Sequence, residues 1–232
     1  PTDNSFVKIA AVGANDSSYI DNDVICGYTY HYAVYAHQEG KNALLSRSNN
    51  STAAPIHKST VQPAQLVRAT VQDDNHILVE FSQPVFQKTP IDYYTIEKSA
   101  DGINYKDIFT TKECCKPFED FSVDVHNQSY YYRIRTADVC GDISAAGNIG
   151  KTILLSVEAD DDENVNATWS NYQKWDDGIA SYQIELKDIN GMYNWTGENT
   201  FDDTTFTDES NLYNQLPQVC YRIKATSNNG TI

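Results

Sequence analysis

Tyr130–Ala137 reads YYYRIRTA, and two other stretches answer it: YTYHYAVYA at Tyr28–Ala36 and CYRIKAT at Cys220–Thr226. Alternation sets Tyr30, Tyr32, Val34 and Ala36 on one face of the first, Tyr130, Tyr132, Ile134 and Thr136 on one face of the second, and Val219, Tyr221, Ile223 and Ala225 on one face of the third. A period of two marks a strand with one side turned to a core. Tyr32 and Tyr132 stand 100 residues apart, and Tyr132 and Tyr221 stand 89 apart. Each interval suits one small β-sandwich domain.

The register holds outward from these strands. Tyr19-x-Asp21, Phe118-x-Asp120 and Phe206-x-Asp208 begin 13, 14 and 15 residues before Tyr32, Tyr132 and Tyr221. FVKI at Phe6–Ile9 matches YKDI at Tyr105–Ile108, and Tyr193 holds that place in the third copy. Tyr94 answers Tyr182 and Phe81 answers Trp169, each pair 88 residues apart. So regular a correspondence is an internal repeat. Between the runs lie Asp73-Asp74-Asn75, Asp101-Gly102, Asp177-Gly178, Asn190-Gly191 and Asn229-Gly230, residue pairs that accept the positive φ of tight turns. No segment keeps an i, i+3, i+4 apolar pattern. The expected fold is therefore all-β, with tandem antiparallel β-sandwiches and essentially no helix.

The chain has 232 residues, 40% of them hydrophobic, and 16 tyrosines, enough for packed cores in two or three small domains. Its formal charge of −15 opposes phosphate backbones and anionic lipid surfaces, so neither nucleic acid nor direct membrane insertion is expected. No run reaches the roughly 20 apolar residues of a membrane helix. The first residues, PTDNSFVKIAAVG, lack the basic and apolar regions of a signal peptide, which suggests an internal piece of a longer, processed protein.

The pattern Y-x-Y-R-[IV]-x-[AT] following aromatic-x-Asp resembles strand F of the fibronectin type III fold. Val24, Gly27, Tyr30, Tyr32 and Val34 match the family's L-x-P-G-T-x-Y-x-Y-x-V, with Cys26 in place of the usual proline. The resemblance makes Tyr30 a corner tyrosine whose hydroxyl pins the preceding loop. The third copy has Val219 there instead. Trp169 resembles the buried tryptophan of strand B, replaced by Phe81 in the second copy. A narrower resemblance lies in WSNYQKWDDGIASYQIELK (Trp169–Lys187) followed by CYRIKATSNNG (Cys220–Gly230). These look like the repeat before the type B C-terminal sorting domain of gliding-motility-associated surface proteins, which leave the cell by type IX secretion. YTIEKSADGINYKDI (Tyr94–Ile108) and ADVCGDIS (Ala137–Ser144) also fit repeats of those proteins. The resemblance divides the chain into residues 1–57, supplying strands C′, E, F and G of a first repeat, residues 58–152, a complete second, and residues 153–232, a third without strand G. It implies that the protein continues at both ends.

The five cysteines, Cys26, Cys114, Cys115, Cys140 and Cys220, form no CxxC or cysteine–histidine zinc pattern and suggest an oxidising compartment. In the fibronectin III topology the C′–E and F–G loops emerge at one end. This implies a disulfide from Cys140 to Cys114 or Cys115, with Cys115 preferred. Cys220 should be unpaired, and Cys26 should find its partner upstream of Pro1.

Other candidate sites have plainer readings. His31, His37, His57, His76 and His126 are scattered and form no HExxH. No GxSxG or GxxxxGK[ST] occurs, and a small sandwich offers no deep cleft for paired carboxylates. Asp160-Asp161-Asp162-Glu163 and Asp73-Asp74 fall in equivalent A–B turns. They read as solvated turns, with a calcium site as the alternative. Trp175 could offer an aromatic platform but more often such a residue folds over the sandwich end. Asn-x-Ser/Thr sequons begin at Asn15, Asn49, Asn50, Asn127, Asn166, Asn194 and Asn229, and Asp203-Thr204-Thr205 matches a bacterial O-glycosylation signal. There is no RGD. The sequence thus points to a non-catalytic extracellular stalk or adhesive spacer at the cell surface, needing no catalytic residue, metal or cofactor. Its partners would be other domains of the same longer chain and a surface protein or glycan. The rival expectation is an accessory carbohydrate- or protein-binding module of a secreted multidomain enzyme.

Overall fold

A computed structural model describes residues 6–38, 44–56, 60–161, 164–173, 178–200, 203–209 and 219–228. Every regular element in them is a β-strand. In the first segment, β1 (Tyr30–Tyr32) pairs antiparallel with β4 (Ser51–Ala53), and β2 (Tyr35–His37) with β3 (Leu45–Arg47). These are strands F and G. The strands expected at 6–9 and 18–21 do not form. Their counterparts in the second repeat bond to strands C and B, and among the described residues no strand pairs with residues 6–29. For the same reason the expected alternation stops early here: Tyr30 and Tyr32 are half-buried, but Val34 and Ala36 are exposed.

Residues 65–151 form a sandwich. β5 (Gln65–Gln72), β6 (His76–Ser82) and β9 (Phe118–Asp120) make one sheet. β11 (Gly150–Lys151), β10 (Tyr131–Asp138), β7 (Ile91–Ser99) and β8 (Lys106–Thr111) make the other. This three-plus-four order, A-B-E against G-F-C-C′, is the one that the fibronectin type III resemblance implies. Period-two alternation turns Leu66, Ala69, Ile77, Val79 and Phe81 of one sheet onto Tyr94, Ile96, Tyr132 and Ile134 of the other. Strand G follows β10 from Ser144 to Thr152, through Ser144 N–H to Thr136, Gly147 N–H to Ile134 and Thr152 N–H to Tyr130. At Gly147 a Cβ would lie 2.3 Å from the Ala64 carbonyl oxygen, so only glycine lets strand G pass beneath the start of strand A.

The third group repeats the plan. β12 (Leu155–Ala159), β13 (Val165–Trp169) and β16 (Thr205–Asp208) form the A-B-E sheet. β15 (Tyr193–Thr200), β14 (Ile179–Lys187) and β17 (Tyr221–Ser227) form C′-C-F. Trp169, Tyr182 and Ile184 are buried together, with Tyr221 and Ile223 packed partly buried against them, as the alternation requires.

Turn chemistry sets the hairpins. Asp73 (φ 49°) and Asp74 (φ 54°) occupy the two central positions of the β5–β6 turn, both at positive φ, and Asn75 N–H closes on the Gln72 carbonyl. Such a turn matches the twist of the strands it joins. These aspartates are therefore accounted for as turn residues. Asp160 in the equivalent turn accepts from Asn164 and Asn166, while Asp162 and Glu163 lie outside the described residues. Between β7 and β8, Asp101 accepts the Ile103 and Asn104 N–H groups, which hold its carboxyl far below the usual range. Between β14 and β15 Asp188 accepts the Met192 and Asn190 amides, which hold its carboxyl below the usual range.

Trp169 packs edge-on against Tyr182 at 5.6 Å, and its buried Nε1 finds no acceptor among the described residues. The ring therefore contributes area and not a hydrogen bond. Trp169→Ala should cost about 3–5 kcal/mol in denaturant unfolding. Trp169→Phe, which installs the residue that the second repeat uses, should cost well under half of that.

Candidate functional site at the junctions between repeats

One hydrogen bond recurs in all three repeats. The hydroxyl of the strand F tyrosine donates to the aspartate of the aromatic-x-Asp motif: Tyr32 to Asp21 at 3.0 Å, Tyr132 to Asp120 at 2.9 Å, and Tyr221 to Asp208 at 2.8 Å. In the second repeat both partners are buried, and Lys98 Nζ lies 2.7 Å from Asp120. Burial alone would raise the Asp120 carboxyl, but hydrogen bonds from Lys98, Ser122 and Tyr132 outweigh it and hold the group below the usual range. The Tyr132 hydroxyl is driven far upward by burial beside that carboxylate. The corner tyrosines follow their expected role: Tyr30 accepts Ile25 N–H and Tyr130 accepts Asp124 N–H, each at 2.9 Å.

The Tyr30 and Tyr32 bonds fix the loop by which the first repeat meets the second. The loop before β1 carries Cys26 and Gly27 against the second repeat. A Cβ on Gly27 (φ +87°) would meet Val139 Cγ2 at 2.4 Å and Pro90 Cδ at 3.5 Å, so the approach requires glycine. Val139 N–H donates to the Pro90 carbonyl. The buried Asp138 carboxylate accepts the Thr89 hydroxyl and the N–H groups of Cys140 and Asp142, which stiffens the F–G loop. Across this contact Cys26 is bonded to Cys140, with Cα atoms 6.0 Å apart and a sequence separation of 114. Closing so long a loop contributes about 4–5 kcal/mol in the chain-entropy account.

This corrects the expected Cys115–Cys140 bond and the expected upstream partner of Cys26. Cys115 and Cys140 do lie at one end of the second sandwich. However, β7 stands between β8, which leads to Cys115, and β10, which leads to Cys140. Two strand spacings amount to about 9–10 Å, beyond the 4.4–6.8 Å that a disulfide spans. Cys115 is instead bonded to its neighbour Cys114 in an exposed turn. The loop of the first repeat that carries Cys26 faces the end of the second sandwich that carries Cys140, which reasoning within one repeat could not show. Cys220 is a free thiol.

The second boundary is held without a covalent bond. Lys151 N–H donates to the Gln173 carbonyl at 2.7 Å, and Tyr172 is buried with its hydroxyl against the second repeat. Burial pushes that hydroxyl up to about 12, partly offset by the Ala69 backbone amide and the Arg68 charge. Beside it runs a groove of about 770 Å³ bordered by Arg68, His126, Leu155, Tyr193 and Tyr221. Trp175 and His57 lie outside the described residues.

The charges on the C–F face, to which the sequence reading assigned no role, are engaged in pairs. Glu97 receives Arg133 at 2.5 Å and Arg135 at 3.1 Å, and the Arg133 guanidinium lies 3.7 Å from the Tyr105 ring centre. The third repeat copies the set: Glu185 receives Arg222 and Lys224, and Arg222 lies 4.0 Å over Tyr193. The 88-residue spacing of Glu97 and Glu185 was the available signal. His76, on β6, stacks on Phe121 and bonds Asn75.

No family model matches this chain. No curated protein matches it either. Among solved structures, the FN1–FN3 domains of chicken CNTN1 overlap 88% of the chain and 73% of their own length, at 12% identity and TM-score 0.38. A β-1,2-glucanase from Parabacteroides distasonis overlaps 47% of the chain at 18% identity and TM-score 0.32, and the chain spans about 15% of that enzyme. Both scores are below 0.5. The chain's own strand order, corner tyrosines and Tyr–Asp pairs are those of fibronectin-type-III-like repeats. No helix among the described residues is long and apolar enough to cross a membrane.

A carboxylate held low in the fold stabilises it above the unfolded carboxylate pKa of about 3.9 and loses that contribution as pH falls through the folded value. Asp120→Asn should therefore cost about 3 kcal/mol at pH 7, by stranding Lys98. The penalty should shrink as pH falls below the unfolded value and through the lower folded one. Equilibrium unfolding of both proteins across that range reads the difference.

Proposed function

We propose that the chain is a non-catalytic extracellular spacer, a stalk of a secreted bacterial surface protein of the gliding-motility-associated kind exported by type IX secretion. In this reading three repeats divide near residues 57 and 152. The observation that carries it is the use made of the chemistry-bearing groups. The aromatic-x-Asp carboxylates brace strand F in every repeat. The C–F charges are matched to one another, and the first boundary is joined covalently. Such groups set shape and spacing, and a spacer needs nothing more.

A second reading, an accessory carbohydrate- or protein-binding module of a secreted enzyme, is favoured by the groove at the second boundary, with Tyr193 and Arg68 at its border. Exchange of residues 58–232 in the parent protein for an unrelated pair of β-sandwiches of equal length separates the two. For a spacer, antibody labelling of intact cells and the parent's activity should both persist. Lost activity with labelling intact would support the binding module. A protein labelled only after permeabilisation would overturn the surface assignment.

A further inference from the structure

We propose that the Cys26–Cys140 bond is a mechanical clamp that removes most of the second repeat from the path of a pulling force, and that reduction releases it. The inference deepens the spacer reading and draws its biological use from it. Tension entering through the first repeat follows the chain to Cys26, crosses the sulfur–sulfur bond, and resumes at Cys140. The bypassed residues contain β1–β10, which include six of the seven strands of the second sandwich. Only the segment after Cys140 stays in line. It lies along the edge of β10 through the amides of Ser144, Gly147 and Thr152. The force is thus resisted first by hydrogen bonds that can peel away, and then by a covalent bond.

The seat of the clamp is stiff. The Asp138 carboxylate holds Cys140 N–H, Asp142 N–H and the Thr89 hydroxyl, and Gly27 sits against Val139 and Pro90. Cys26 is buried, whereas the Cys114–Cys115 pair is exposed and, being adjacent in sequence, hides no length of chain. Release is a two-electron exchange. Dithiothreitol gives up two electrons and two protons, closes to its cyclic disulfide, and leaves Cys26 and Cys140 as thiols.

The test is single-molecule stretching of the full chain between handles at residues 1 and 232, with and without dithiothreitol. The bond spans 114 residues, so reduction should lengthen the fully stretched chain by about 380–410 Å. The Cys26→Ser/Cys140→Ser double variant should give the long trace without reductant. If that variant does not fold, the wild-type comparison stands alone. A gain of only about 80–90 Å, the length that a Cys115–Cys140 bond would hide, overturns the clamp, and so does no gain. Either failure leaves the spacer reading standing, because the exchange experiment tests that reading separately.

Discussion

The hydrogen bond from Tyr132 to Asp120 ties strand F to strand E across the sandwich, and the rest of the repeat is arranged around it. Strand F is central: β10 carries β7 on one side and strand G on the other, and it sends Tyr132 and Ile134 into the core. Burying a phenol and a carboxylate together is costly unless each satisfies the other. Once paired, they fix both the register of strand E and the path of the loop between E and F. The Tyr130 corner then closes that loop from the other side. The same bond persists between Tyr32 and Asp21, where residues 18–21 form no strand at all. In the third repeat, which has Val219 in place of the corner tyrosine, Tyr221 and Asp208 keep it as well.

This explains which parts of the architecture were legible in the sequence. Alternation at Tyr132, Ile134, Tyr182 and Ile184 declares strands and core because a strand has only two faces. The aromatic-x-Asp motif recurs ahead of strand F because its hydrogen bond fixes where the two strands meet in space, while the loop between them varies by a residue from one repeat to the next. Asp73 and Asp74 announce a turn because few side chains accept positive φ. The cysteine pairing was not legible, because it is a property of two repeats meeting end to end. Alternation, turns and spacing all describe a repeat from within. The Glu97–Arg133–Tyr105 set was visible only as an unexplained recurrence at Glu185, Arg222 and Tyr193. Nothing in the alternation distinguishes a matched ion pair from a solvated face.

The two boundaries use different chemistry. At the first, a glycine without room for a side chain, a pinned F–G loop and a disulfide allow one arrangement of Cys26 over Cys140. At the second, a buried tyrosine and paired backbone bonds at Lys151 and Gln173 hold the units, and the groove beside them remains open. A noncovalent boundary of this kind can yield and re-form, whereas the first can part only by reduction.

The central claim is that the tyrosine–aspartate bond, and not the bulk of either side chain, organises the repeat. A double-mutant cycle at Tyr132 and Asp120 tests it most directly, with Tyr132→Phe and Asp120→Ala, neither of which can make the bond, measured singly and together by denaturant unfolding at pH 7. The bond as described predicts a coupling energy of about 1.5–3 kcal/mol, the range for a hydrogen bond to a charged group. Penalties that add to within about 0.5 kcal/mol would mean that the two residues act independently, and would contradict the account.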